Sequence, residues 1–277
     1  TAMSYIRFTS LSVHGVLARW QRYAGCLLTC GLVSIASVAG TASADAATRT
    51  WKPFTADSLW SNPANWEEGA APVNGDDLRF PRPAVVPATV VNDIANLEVR
   101  RIETYGEFTI TGQPFTLTNG LAGAGTATFD VHITVRGDQI WALIAYQVVL
   151  NQGVELNGEL RFFRSGRLAG GIRIPGVVSG AGSLVNEGAV VELLNANTYS
   201  GPTLGGVSIG HAQALGVGDG TFANGFNGPL TLLSPGLVLG DERIETTGIL
   251  SQAGGVTFNG PIKLVGESEV TSIVAGL

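Results

Sequence analysis

Beyond Cys30 the chain contains no cysteine, and its only two, Cys26 and Cys30, lie near the N-terminus. A disulfide framework, a thiol nucleophile and a cysteine metal site are thereby excluded from the remainder, whose core must carry its own stability. Lysine is nearly missing, with Lys52 and Lys263 alone, and charged residues make up only 14% of the 277 positions. At a mean hydropathy of +0.26, a chain so poor in charge does not have the composition of a disordered one. Helix formers are scarce, and no apolar stripe of period 3.6 appears after the first 44 residues, which argues against a helical fold. What abounds is glycine, at 38 positions, which suits many short strands joined by tight turns.

Acidic residues are absent before Asp45, while Arg7, Arg19 and Arg22 give a positive start to the chain. An uncharged apolar run over 24–39 follows, and Ala42-Ser43-Ala44 supplies a small-residue cleavage pattern. Residues 1–44 therefore read as a signal peptide, with a membrane-spanning helix as the competing reading. Leu27-Leu28-Thr29-Cys30 is a poor lipid-attachment motif, because most of the apolar run comes after the cysteine. Thr1-Ala2 ahead of Met3, and strand-like residues running up to Leu277, are expected of an open translation or of a fragment. Removing 1–44 takes away three arginines and no acid, leaving 13 basic against 22 acidic residues, a net charge of −9. That balance argues against nucleic acid or an anionic membrane as partner, and export excludes a cytoplasmic one.

Residues 45–82 stand apart from the rest. Trp51, Trp60 and Trp66 cluster there, followed by Pro72, Gly75-Asp76-Asp77 and Phe80. The segment resembles the Trp-rich N-terminal cap of secreted β-solenoids, which implies that the three indoles lie buried over the first coil. Exposed tryptophans stacking on sugar rings are the alternative.

From residue 83 onward, apolar and polar residues alternate in short runs: 88–91, 97–102, 108–111, 115–118, 126–135 and 154–163. Alternation of period two marks half-buried strands. Residues 176–220 combine Ser179-Gly180-Ala181-Gly182, Asn197-Thr198-Tyr199-Ser200-Gly201 and Ala214-Leu215-Gly216. This arrangement resembles the autotransporter-associated β-strand repeat of bacterial secreted and surface β-solenoids. Internal repetition agrees: Phe226-Asn227-Gly228-Pro229-Leu230 recurs as Phe258-Asn259-Gly260-Pro261-Ile262, and Leu156-Asn157-Gly158-Glu159-Leu160 is a third copy. The expected fold is all-β: a single-stranded right-handed parallel β-helix over 83–277 behind an N-terminal Trp-rich cap. Coils of roughly 20–25 residues would stack about 4.8 Å apart, some eight or nine of them. Asn157, Asn227 and Asn259 are expected at equivalent turns, with Leu156/Leu160, Phe226/Leu230 and Phe258/Ile262 pointing inward. The strand around 270–274 is expected to be an open edge, a route to end-to-end self-association.

Chemistry-bearing patterns are few. Nucleophile-elbow, phosphate-loop, His-Glu-x-x-His and calcium nonapeptide motifs are all missing, and beyond residue 44 only His132 and His211 remain, both expected to be without function. Adjacent carboxylates occur at Asp76-Asp77, Glu67-Glu68 and Asp241-Glu242, but glycoside hydrolysis needs carboxyls about 5–10 Å apart across a cleft. Arg161, Arg164, Arg167 and Arg173 form the single local basic cluster, a candidate face for the carboxylates of a glycan, with pairing to Glu155 and Glu159 as the plainer alternative. Arg136-Gly137-Asp138 spells a tripeptide that integrins read on some bacterial adhesins, although the following Gln139-Ile140-Trp141 matches a line of the repeat family and gives it a structural role as a turn. No cofactor or metal is expected. The resemblance implies an exported, non-catalytic surface protein, passenger-like, contacting a glycan or a host or matrix surface. A polysaccharide lyase or hydrolase on the same scaffold is the rival.

Overall fold

A computed structural model describes residues 46–53, 57–85, 87–143, 145–164, 170–217, 222–223, 230–240, 244–252, 254–260 and 262–272. These residues form a parallel β-solenoid of about eight turns. The central turns contribute three strands each, as in Gln139–Ala142, Tyr146–Leu150 and Val154–Asn157, followed by Glu159–Phe163, Gly171–Ile174 and Val178–Gly180 in the next. First strand pairs with first, second with second and third with third, all parallel, which defines three faces. Two 16-residue strands, Leu97–Gly112 and Phe115–Asp130, run unbroken round the corners. They join all three faces into one 20-stranded sheet.

The coil length follows from the register on the first face, where Gln139, Leu160, Leu184, Thr203, Phe222, Ile244 and Ile262 are successive partners. The steps are 21, 24, 19, 19, 22 and 18 residues, shorter and more variable than the sequence pattern implies. Inward residues stack in columns because parallel pairing within each face keeps each side chain above its equivalent, the register shift in Leu97–Gly112 falling between faces at Val99/Arg101. Ile102, Leu121, Trp141 and Phe162 line the first face, Phe108, Ala127, Val148 and Ile172 the second, and Leu97, Phe115, Ile133 and Val154 the third, all buried. Each large apolar side chain so buried contributes about 1.5–3 kcal/mol. Thr104 Oγ1 donates to Tyr146 Oη at 2.7 Å inside the stack, and burial pushes that phenol far up from its ordinary pKa, whereas the buried Trp60 Nε1 has no partner among the described residues.

Glycine decides one corner. Gly137, Gly158, Gly182 and Gly201 sit one above another where the third face turns into the first, and a Cβ on any of the last three would overlap the backbone of the glycine below. Only glycine permits that approach. The same corner breaks the expected run 154–163 into Val154–Asn157 and Glu159–Phe163, and 126–135 likewise breaks after Asp130.

Repeat equivalence holds in part. Ile262 lies in the column of Leu160, and Phe258 precedes it by four residues as Leu156 precedes Leu160, so Asn157 and Asn259 occupy equivalent turns. Leu230 is fully buried as expected, but its strand Leu230–Leu232 stacks on Ser208–Ile209 of the second face. Leu230 therefore stands on another face from Leu160 and Ile262, and Phe226 and Asn227 lie outside the described residues. Ile262 departs from expectation at 40% exposure. Its strand, Ile262–Ser272, is paired only with Ile244–Ser251 among the described residues, so nothing described covers it from the other side.

The Trp-rich segment closes the N-terminal end. Thr48–Thr50 pairs in parallel with Asp77–Phe80 as an additional rung. Trp51, Trp60 and Trp66 are 5%, 0% and 0% exposed. Trp51 meets Trp66 edge-on at 5.0 Å, Trp60 lies 5.9 Å from Phe115, and all three rings surround Phe80. Asp57 and Asp76 each accept three hydrogen bonds within this lid. Asp57 accepts from Leu59 N at 3.0 Å, Asn65 Nδ2 at 2.6 Å and Asn62 Nδ2 at 2.8 Å, which places it below the ordinary carboxylate range, Asn65 contributing most. Asp76, 2% exposed, accepts from Arg49 Nε at 2.7 Å and from Ala47 N and Val73 N, both at 3.1 Å.

Candidate functional site

The basic residues that cluster in sequence separate in space. Arg161 points out from the first face, where it is held by Glu159 at 2.5 Å on its own rung and by Glu187 on the next. Both carboxylates hold its guanidinium above the ordinary arginine value, Glu159 foremost. Arg173 belongs to the second face and pairs with Glu192 of the following rung at 3.3 Å. Arg164 stands at the end of the first-face strand and makes no ion pair among the described residues. Arg167 lies outside the described residues.

Pairing of this kind is general on the outer surface. Arg100 pairs with Asp77, Arg101 with Glu103 at 3.0 Å, and Arg136 with Glu98. Arg100 thus bridges to the neighbouring coil and Arg136 to the coil beyond its neighbour, while Arg101 pairs within its own strand, each exposed bridge being worth less than about 1 kcal/mol. Glu159, not Glu155, is the partner of Arg161; Glu155 accepts from Thr134 Oγ1 at 3.2 Å.

The Arg136-Gly137-Asp138 tripeptide forms an exposed corner. Arg136 is engaged by Glu98, Gly137 is the base of the glycine column at φ 72°, and Asp138 Oδ1 accepts the backbone N–H of Glu159 in the next coil at 2.8 Å. Each of the three residues has a task within the solenoid.

The adjacent carboxylates take separate partners. Asp76 turns inward to Arg49 while Asp77 turns outward to Arg100, and Glu68 accepts the backbone N–H of Thr50 at 2.8 Å. Asp241-Glu242 lies outside the described residues. His132 Nδ1 is 3.3 Å from the carbonyl of Gln152, and His211 Nδ1 accepts from Gln213 N at 3.1 Å. Among the described residues no three His, Cys, Asp or Glu side chains gather in a way that would hold a metal ion.

Sequence reading missed a different feature. The rung 120–125 is Gly-Leu-Ala-Gly-Ala-Gly, and its neighbours carry Arg101, Glu103 and Tyr105 on one side and Ile140 and Ala142 on the other. Small outward residues between larger ones leave two hollows on the same rung. One, of about 370 Å³, is lined by Arg82, Tyr105, Gly106, Glu107, Ala124 and Gly125 at the corner between the first and second faces. The other, of about 280 Å³, lies further back along the first face, with Arg101, Asn119, Ala122, Asp138 and Ile140 in its lining. The Arg79 guanidinium sits 5.5 Å from the centroid of the Tyr105 ring and fixes that wall. Among the described residues neither the Arg82 nor the Glu107 side chain has a hydrogen-bonding or ionic partner. The signal was present as the glycine and alanine run, legible only once the register set it beside bulkier rungs.

No family model, curated protein or solved structure matches the chain. The fold therefore stands on its own register and packing. Among the described residues no helix is long and apolar enough to cross a membrane, which leaves β-barrel spans unaddressed.

Proposed function

We propose that the protein is an exported, non-catalytic β-solenoid of the autotransporter-associated repeat class, presenting its outer faces to a glycan or a host or matrix surface. The observation that carries this reading is the long parallel stack closed by a tryptophan lid, on whose surface the outward arginines bridge coils instead of converging on a reaction centre. A fold alone does not fix function. The leader-like residues 1–44 support export, and the edge of Ile262–Ser272, unpaired among the described residues, supports end-to-end association of copies.

The test is to express the full chain with its own leader in a Gram-negative host, locate it by fractionation, and sequence its N-terminus. An exported chain beginning at Asp45 that retains cells on immobilised glycan or matrix supports the reading; a chain kept in the cytoplasm with Met3 intact overturns it. The same purified protein is incubated with pectin and alginate. Product formation that disappears in Arg164→Ala would replace the adhesive reading with the lyase or hydrolase one.

A further inference from the structure

We infer that the trench along residues 119–125 is a binding site for an extended neutral glycan, an inference that rests on the surface-contact reading and names its ligand. The two hollows share one rung, so they lie in line along the strand direction, and Gly120 to Gly125 covers about 16 Å at strand rise. That shape admits a chain passing across the surface, not a compact molecule enclosed by it.

Lining chemistry selects the class. The corner hollow offers the Arg82 guanidinium and the Glu107 carboxylate, both without partners among the described residues, beside the aromatic wall of Tyr105. At the other end stand Arg101, whose guanidinium also bonds Glu103 at 3.0 Å, and Asp138, whose second carboxylate oxygen accepts nothing described. Each end thus presents one donor-only and one acceptor-only group. A sugar hydroxyl both donates and accepts, so vicinal hydroxyls satisfy a guanidinium and a carboxylate at once, while a ring face packs on the aromatic wall. An acidic glycan drawn to either arginine would also bring its carboxylates close to Glu107 or Asp138, and the net charge of −9 beyond residue 44 adds to the repulsion. The backbone cannot close the trench: a Cβ at Gly120 would lie 2.7 Å from the Ile140 carbonyl oxygen, and Gly125 would overlap Gly106.

The full-length protein is tested on an array of neutral oligosaccharides (cello-, xylo-, manno- and laminari-series) alongside polygalacturonate and alginate, with affinities measured by calorimetry. Glu107→Gln and Arg82→Gln, both at exposed positions, should weaken neutral-glycan binding at least about tenfold each, and Ala124→Trp should abolish it by filling the hollow. Arg173→Gln on the second face should leave it unchanged. Melting curves matching the parent's establish that the two Gln variants are folded, so the result does not depend on Ala124→Trp. Binding of neutral glycans untouched by these substitutions overturns the site while leaving surface contact intact. Binding of acidic glycans alone, or of a matrix protein and no glycan, overturns the ligand class in the same way. Failure to bind any surface overturns both this site and the reading it rests on.

Discussion

Asp76 and Asp77 are neighbours in sequence with opposite assignments, and exchanging each for alanine tests whether the lid is held as described. Asp76→Ala removes a carboxylate that is 2% exposed and accepts three hydrogen bonds, leaving Arg49 without its ion pair and the N–H groups of Ala47 and Val73 without acceptors. Breaking a buried pair from one side costs about 3–5 kcal/mol. At about 2–4 °C per kcal/mol for a domain of this size, the melting temperature should fall by about 6–20 °C. Asp77→Ala breaks a surface bridge to Arg100 and should cost less than about 1 kcal/mol. Circular dichroism melts give the stability, and tryptophan emission reports separately on the lid, because Trp51, Trp60 and Trp66 are all buried there. Adding Arg49→Met to Asp76→Asn should recover part of the loss, since the orphaned charge is then gone. Equal melting of the two alanine variants, with emission unchanged in both, would refute the clasp.

Four further outcomes are expected. Leu230→Asp, in a fully buried position, should cost more than about 3 kcal/mol, whereas Thr231→Asp on the outward side of the same strand should be nearly neutral; equal tolerance in urea titrations would overturn the register. Gly182→Ala should destabilise by several kcal/mol through collision with Gly158, while Gly254→Ala, with open space at its Cβ, should not; thermal melts decide. Asp57 has its folded pKa lowered from 3.8, so its contribution is present above that value and lost as pH falls through the folded pKa. Tryptophan emission should accordingly shift red in acid, and by less in Asp57→Asn, where the titrating group is gone. Deleting residues 45–82 should expose a second open end and raise the aggregation rate in light scattering, an unchanged monomer counting against the lid.

Period-two alternation was enough to read strands, and the tryptophan cluster enough to read a lid, because both are properties of local sequence. The face on which a strand lies is not. The strand that follows one Phe-Asn-Gly-Pro copy, Ile262–Ser272, starts on the first face and the strand that follows the other, Leu230–Leu232, lies on the second, so the repeat at 226 and 258 does not measure a coil. Arginine spacing misled for the same reason: Arg161 and Arg173 are close in sequence, but a corner lies between them. The trench was invisible because it arises from what neighbouring coils carry, a relation between residues about twenty apart that only register reveals.

The glycine column has a consequence for how such a chain can change. Since Gly137, Gly158, Gly182 and Gly201 lock the third-to-first corner, length differences between coils are absorbed elsewhere. The connection from Phe163 to Gly171 is longer than that from Ala142 to Tyr146 or from Glu187 to Val190, yet the strands on both sides keep their partners. One corner acts as the spine of a bound book and the next as its fore-edge. Sequence spliced in at the fore-edge would project from the stack without disturbing it, so new recognition loops can arise there by insertion while the pages stay aligned.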